Sequence, residues 1–327
     1  MKFQRNGSTY YMNINYSSVY VVILNWNSAQ DTIHCIKSVL NLNKIKDVTI
    51  VVCDNDSKKE SYEEIKNFVL DQTNISNLII SENEIPNYKN SNYKIVLIKN
   101  EKNYGYAGGN NRGVKFALNQ ETMQYVWILN NDTEVAPDSL DYLIDKFESN
   151  KKYGVVGSKL VEFENRTKVQ GVGGVINPKF CTTKEIGNEF AIDENIDELN
   201  YEKKVDYVIG ASMMFNRLCL QQVGLMCEDY FLYYEEIDIC NRIRQKDLEV
   251  GIASKSIVYH KHGASTGKGK SDIADYYSVR NRLLISNKFY RNYLILTKLS
   301  LIFVVFNRIR RLEFKRAYRY FLLINNI

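Results

Sequence analysis

"YVWILNNDTEVAPDSL", residues 125 to 140, sets a run of bulky apolar residues directly against Asn130, Asn131 and Asp132, after which Pro137 and Asp138 open a helical pattern. The run 125 to 129 is short, apolar and bounded by polar residues, the signature of a buried strand. Leu140, Leu143, Ile144 and Phe147 then fall on one helical face. The same unit recurs upstream. "VYVVIL" (19 to 24), "VTIVVC" (48 to 53) and "IVLI" (95 to 98) repeat the strand signal, and the spacing predicts helices at 61 to 70, 110 to 118 and 138 to 148. After the first strand, Ser28 and Asp31 are spaced like a capping box ahead of Ile33, Ile36, Val39 and Leu40. Such β/α alternation predicts a mostly parallel sheet flanked by helices, with ligands bound beyond the carboxyl ends of the strands.

With 327 residues, 45% of them hydrophobic and 25% charged, the chain can bury a core in one large or two small domains. The six cysteines form no CxxC pair, several sit inside apolar stretches, and a reducing cytoplasm is their simplest home. "MKFQRNGSTYYMNINYSS" at the start lacks the continuous apolar core of an export signal, so the protein is expected to stay where it is made. The net charge of +5 is concentrated at one end: nine basic residues between Lys288 and Arg319 face Glu313 alone, which leaves about −3 for the rest. That body is too acidic for a spread nucleic-acid surface. The apolar stretch "YLILTKLSLIFVVF" (293 to 306) has 14 residues broken by Lys298. It falls short of the ~20 needed to cross a bilayer, so the tail is expected to lie on an anionic membrane surface instead.

Each predicted strand ends in polar residues suited to one sheet edge: Asn25, then "DNDS" from Asp54, then "NYGYAGGNNRG" (103 to 113), then Asp132. A turn explains any one of them. Four on one edge point to a ligand site. The glycines Gly105, Gly108, Gly109 and Gly113 lack GxGxxG spacing and follow the third strand, which argues against a dinucleotide fold. "NWNSAQD" after the first strand has none of the glycine and basic content of a nucleotidyltransferase phosphate loop.

Taken together, "VVILNWNS", "VVCDNDS", "NYGYAGGNNRG", "WILNNDTEV", "VDYVIGASMMFNR", "FLYYEEIDICNRIR", "IVYHKHGAST" and "YYSVRNRLL" resemble, in order from about residue 19 to 290, a family 2 glycosyltransferase of the rhamnosyltransferase-like branch. The resemblance implies a GT-A fold and inverting transfer of a sugar from a UDP- or dTDP-type donor, dTDP-rhamnose among them, to a glycan or lipid-linked saccharide of a surface polysaccharide. It also implies help from a divalent cation, Mn²⁺ or Mg²⁺, and work at the cytoplasmic face of the membrane. The expected division is an extension at 1 to 18, a catalytic domain at 19 to 290 and a basic amphipathic tail at 291 to 327. Within the domain, the nucleotide half runs to about 135 and the acceptor half follows.

A diphosphate leaving group concentrates negative charge, and a hard cation held by carboxylate, water and phosphate oxygens stabilises it. Asp132 is placed for that, although the family's Asp-x-Asp reads Asn130, Asn131, Asp132 here. His260, closing "IVYH", matches the family's metal-ligand histidine, and His262, two residues on and able to share its face in a strand, is the alternative. By resemblance Asp54 contacts base or ribose, with Asn25, Asn55 and Asn131 on the same edge; Gly105, Gly108 and Asn110 to Arg112 let the chain approach the donor; and Arg280 closes over the diphosphate. The acids Glu235, Glu236 and Asp238 stand where a helix dipole alone would favour them. The resemblance makes Glu236 the general base, at a position that usually holds aspartate. A relative that binds nucleotide sugar without transferring it is the other reading. The acid-rich segment 177 to 204 is expected to be a surface insertion without a role.

Overall fold

The computed structural model describes residues 2–5, 8–11, 18–90, 92–261 and 272–326. A hairpin, β1 (Lys2–Arg5) and β2 (Ser8–Tyr11), precedes the domain. Then follow β3 (Ser18–Asn25), α1 (Ala29–Leu40), β4 (Val48–Asp54), α2 (Lys59–Leu70), β5 (Asn77–Ser81), β6 (Ile95–Lys99), α3 (Gly105–Leu118), β7 (Met123–Asn130), β8 (Thr133–Val135) and α4 (Ser139–Ser149). The second half comprises β9 (Tyr153–Glu162), β10 (Val169–Gly171), β11 (Gly173–Asn177), β12 (Thr182–Ile186), α5 (Glu198–Glu202), β13 (Ser212–Asn216), α6 (Arg217–Val223), α7 (Glu235–Arg244) and β14 (Glu249–His260). Three helices close the chain: α8 (Asp272–Phe289), α9 (Leu294–Arg310) and α10 (Phe314–Asn326).

The main sheet runs β5-β6-β4-β3-β7-β13-β9-β14-β8, with β10 beside β9. The strands from β5 to β7 are mutually parallel, β13 is antiparallel to both neighbours, and β9 pairs with β14 in parallel. Alternation along β3 shows why helices cover both faces. Val19, Val21 and Ile23 join α1, α2 and α4 residues such as Ile36, Val69 and Leu143 in one core. Tyr20 and Val22 join α3, α6 and α7 residues such as Val114, Leu220 and Ile243 in the other.

Three sequence expectations change. The box at α1 does not form: the Ser28 hydroxyl donates to Asp31 at 2.6 Å instead of capping the backbone, and Asp31 pairs with Lys261 at 2.6 Å. The helix placed at 110 to 118 begins at Gly105, because its glycines are packing positions and not loop. The insertion docks: Lys146 holds Glu198 and Glu202 of α5 at 2.8 Å each, and Glu198 also accepts from Ser254.

The tail differs as well. The helical run Arg291–Arg310 spans 20 residues with mean hydropathy 1.4, long and apolar enough to cross a membrane by length and composition. The sequence count of 14 stopped where the charges began, whereas the helix continues through them. One side of α9 packs through Thr297, Leu301 and Val305, and with α8 and α10 it encloses a small core of Val279, Leu283, Ala317, Tyr320 and Ile324. Most of that run is exposed, with only 11% of its most apolar window buried.

Candidate active site

The register of β8 against β14 places His260 opposite Thr133, next to Asp132. His260 Nε2 lies 3.4 Å from Asp132 Oδ1, and that oxygen, on a carboxylate only 7% exposed, has no hydrogen bond. On the other side of the ring, Nδ1 is 2.9 Å from Gln170 Oε1 on β10. An amide oxygen only accepts, so Nδ1 carries a proton and Nε2 is the ring nitrogen that faces the carboxylate; with Nε2 unprotonated its lone pair points at that oxygen. Two lone pairs so placed repel unless a proton or a cation lies between them. A partner that fixes the tautomer from behind is also the usual arrangement of a histidine that ligates metal. Among the described residues no three His, Cys, Asp or Glu side chains gather into a fuller cluster. A cation held by Asp132 and His260 would have to draw its other ligands from phosphate and water, the habit of Mg²⁺-type sites. His262 lies outside the described residues.

The strand-end asparagines and Asp54 turn inward. Asn25, fully buried, donates to Asp54 Oδ2 at 2.7 Å and accepts from Thr32 Oγ1 at 2.9 Å. Asp54, also fully buried, takes the Ser57 N–H on its other oxygen at 3.1 Å. Asn55 ties together Asn100, Asn103, Tyr104 and Gly105. These three side chains set the floor of the edge and offer no open surface to a base. Asn131 is half-buried and donates to Thr32 Oγ1 at 3.1 Å. Asn110 donates to Tyr106 O, while its own buried oxygen has no partner.

The glycines serve packing. A Cβ on Gly109 would stand 2.4 Å from Leu24 Cδ1, so α3 lies against β3 at a distance only glycine permits. Gly105 has φ +72° and a Cβ there would meet Phe231 O at 2.3 Å; Tyr106 N–H donates to that same carbonyl at 2.7 Å. Gly108 is similarly closed, by Tyr104 Cβ at 2.6 Å. Arg112, expected to face the donor, is engaged by Glu82 and Glu228 at 3.0 Å each and lies 3.5 Å above the Tyr104 ring.

The acids at the start of α7 separate into two kinds. Asp238 is fully buried among Arg242 at 2.6 Å, Lys288 at 2.5 Å and the Tyr230 hydroxyl at 3.1 Å, which leaves it out of the cleft. Glu235, 3% exposed, has an oxygen with no partner. Burial, and then the charge of Glu236, drive its carboxyl well above the ordinary range. Glu236, half-buried, is pushed up to about 7 by burial, with the nearby charge of Glu185 on β12 adding to it. The expected helix-dipole stabilisation is thus outweighed.

Tyr106 of α3 carries no motif signal of its own. Its hydroxyl donates to Gly210 O at 2.6 Å. Burial raises its pKa well above 10, and the charges of Glu235, Glu236 and Asp132 raise it further. The loop that delivers the acids has left-handed backbone at Phe231, Tyr233 and Tyr234, with φ of 63°, 70° and 76°. Such strain persists only where surroundings enforce it. Here the enforcing residue is Asn281 on α8, fully buried, whose amide donates to the carbonyls of Tyr230, Leu232 and Tyr233 at 2.8, 2.8 and 3.0 Å. Its neighbour Arg280 donates to Asp229 O at 2.7 Å.

The family model described as Glycosyl transferase family 2 matches residues 20–218, a span that contains Asp132 and ends before the acids of α7. The low-salt glycan biosynthesis hexosyltransferase Agl10 of Haloferax volcanii is 26% identical over 249 residues, covering 75% of this chain and 77% of that protein. The structure of GalNAc-T7 with UDP, GalNAc and Mn²⁺ has a TM-score of 0.62 at 17% identity, over 86% of this chain and 50% of that one. The mannosyltransferase PcManGT from Pyrobaculum calidifontis, in complex with GDP-Man and Mn²⁺, gives 0.56 at 14% identity, over 85% and 65%. The chain thus spans about half the length of the first structure and about two-thirds of the second. These likenesses establish the architecture; the sequence match, over more than half of the chain, establishes the descent. The chain belongs to glycosyl transferase family 2 and is a glycosyltransferase with a GT-A-type fold.

Proposed function

We propose that this glycosyltransferase is an inverting, cation-assisted hexosyltransferase, taking a sugar from a UDP- or dTDP-type donor, dTDP-rhamnose included, to a glycan or lipid-linked saccharide in surface polysaccharide synthesis. The supporting observation is the Asp132 carboxylate, buried and 3.4 Å from His260, in a domain that also places the Glu235–Glu236 pair at the first turn of α7. Mn²⁺ in the related structures and the hexosyltransferase name of the Haloferax relative agree with it. A cation bound at Asp132 and His260 supplies positive charge for the departing diphosphate. Glu236 accepts the proton of the acceptor hydroxyl as that oxygen attacks the anomeric carbon opposite the diphosphate; a carboxyl near 7 is well matched to that work. Glu235 keeps its proton and so spares the cleft a second buried charge. The rhamnosyltransferase-like assignment and the pyrimidine donor rest on sequence resemblance.

The tail provides the place of work. Phe303, Phe306 and Ile309 of α9 and Phe314, Tyr318 and Phe321 of α10 are exposed, next to the basic residues from Arg308 to Arg319. Apolar surface on that scale marks an interaction site. With the positive charge it suits the inner face of the cell membrane, where each basic residue contributes ~1 kcal/mol.

The test is a panel of UDP-, dTDP- and GDP-sugars with Mn²⁺ or with chelator, read as donor hydrolysis and thermal shift. Stabilisation by a pyrimidine donor that needs Mn²⁺, with slow release of sugar, is expected. Binding without any hydrolysis or transfer makes the chain a binding relative instead, and preference for GDP-mannose overturns the pyrimidine assignment.

A further inference from the structure

Between the β11–β12 hairpin, α8 and α9 lies a cavity of 370 Å³, lined by Phe180, Thr182, Arg282, Leu296, Leu299 and Phe303. Its wall is almost wholly apolar carbon, yet it contains a cation. Arg282 donates through Nε and Nη2 to the carbonyl of Phe180 at 3.1 and 2.8 Å, and through Nη2 to Ser300 Oγ at 2.9 Å. No carboxylate pairs with Arg282, and its Nη1 makes no hydrogen bond, among the described residues. A guanidinium half-buried in an apolar wall without an acidic partner costs free energy that an anionic ligand would offset.

The position narrows the ligand. On one side the cavity opens along α9, where Leu296, Leu299 and Phe303 are 39%, 49% and 71% exposed on the face assigned above to the membrane. On the other, the Tyr234 hydroxyl donates at 2.7 Å to the carbonyl of Cys181, between the wall residues Phe180 and Thr182, and Tyr234 immediately precedes Glu235 in the chain. The Arg282 and Glu236 charges both act on that tyrosine. A molecule lying here would place apolar chain against α9, an anionic group at Arg282 and its far end toward Glu236.

We infer that this cavity is the acceptor's lipid subsite: it seats the first units of an isoprenoid or acyl chain, with the phosphate that joins chain to saccharide at Arg282. The inference deepens the proposed function and rests on its acceptor side. It predicts that the enzyme prefers lipid-phosphate acceptors to free saccharides.

The probe is farnesyl phosphate below its aggregation threshold, without vesicles, titrated calorimetrically into the full chain, with inorganic phosphate and farnesol as separate arms. Farnesyl phosphate should bind at least 10-fold more tightly than either arm. Leu296 and Leu299 are exposed enough for Leu296→Glu and Leu299→Glu to fold; each should weaken binding at least 10-fold, as should Arg282→Gln. Phe306→Glu, on the same helix but outside the cavity wall, should leave it within 2-fold. No binding, or equal loss in Phe306→Glu, overturns the subsite. UDP and dTDP are titrated into the same samples with Mn²⁺: a chain that binds farnesyl phosphate but no nucleotide has a lipid site that is not an acceptor site, which overturns the assignment and separates it from failure of the cavity itself.

Discussion

Replacing Glu236 by glutamine should damage the reaction and strengthen the fold, and both effects follow from one number. The carboxyl stands at about 7 in the folded protein against an ordinary 4.5, chiefly because it is buried. The folded pKa is raised, so the folded state holds the proton more tightly than the unfolded chain does. Below about 4.5 both states are protonated and the shift contributes nothing to the pH dependence. As pH rises from there to about 7, the unfolded chain ionises and the folded one does not, so stability is lost progressively; above 7 the loss is complete. Two and a half pH units correspond to about 3 kcal/mol. For a chain of this length that is about 4 °C in melting temperature. Glu236→Gln removes the ionisation while keeping size and most hydrogen bonding. The variant should therefore melt about 4 °C above wild type at pH 8, the gap closing toward pH 4.5, while kcat falls by ~10²-fold or more and donor affinity stays within about 3-fold. Wild-type turnover should itself rise through pH 7. Scanning calorimetry across pH 4.5 to 8 and steady-state kinetics on both proteins provide the readings. A melting difference that does not change with pH, or a variant with wild-type turnover, refutes the reasoning.

Asp132→Asn and His260→Ala should each reduce Mn²⁺-dependent nucleotide affinity by about 10-fold or more, with the metal-free melting temperature little changed, since neither side chain packs the core; binding that ignores both substitutions and a chelator removes the cation from the site. Asn281→Ala leaves three loop carbonyls without their donor, and should cost about 2–4 kcal/mol of stability and more than 10-fold in kcat while nucleotide affinity holds; a variant with normal turnover would show that the loop keeps its shape unaided. Co-sedimentation should capture the protein on phosphatidylglycerol vesicles but not on phosphatidylcholine, and salt raised from about 0.1 M to about 0.5 M should release it; indifference to lipid charge contradicts the membrane assignment.

The frame of the molecule was legible in the sequence because the buried strands are continuous apolar runs, and β3, β4, β6 and β7 lie within two residues of the expected ends. The edge strand β5 was missed: "NLIIS" is short and four of its five residues are only half-buried, so it carries a weak apolar signal. At the site, the pairing of Asp132 with His260 crosses 128 positions of sequence, and resemblance supplied what spacing could not. Asp54, Asn55 and the glycines were read as ligand contacts because polar and glycine residues at strand ends look alike whether they face a nucleotide or lock a turn; only burial distinguishes them. Tyr106, Gln170, Asn281 and Arg282 had no signal to give. A tyrosine or asparagine on a helix acquires meaning from what the fold brings against it, and all four act through partners distant in sequence, from 51 residues for Asn281 and Tyr230 to 104 for Tyr106 and Gly210.

The strained loop explains why so many of these partners are distant. Glu235 and Glu236 sit at the first turn of α7, and their direction is set by three consecutive-range left-handed residues that neither a glycine nor a regular turn relieves. The start of α3 holds one end of this loop, through Gly105 and the Tyr106 N–H at Phe231 O; α8 holds the rest, through Asn281. Tyr106 then donates through its hydroxyl to Gly210 O. The residue that anchors the loop at Phe231 O thus also ties it to Gly210, through its own side chain and backbone. A site built this way is rigid where the chemistry needs geometry held to a few tenths of an ångström. Gly105 is consequently a constraint on the acids: a side chain there would displace Phe231 and carry the acids with it, and is expected to lower kcat without removing any group proposed to react.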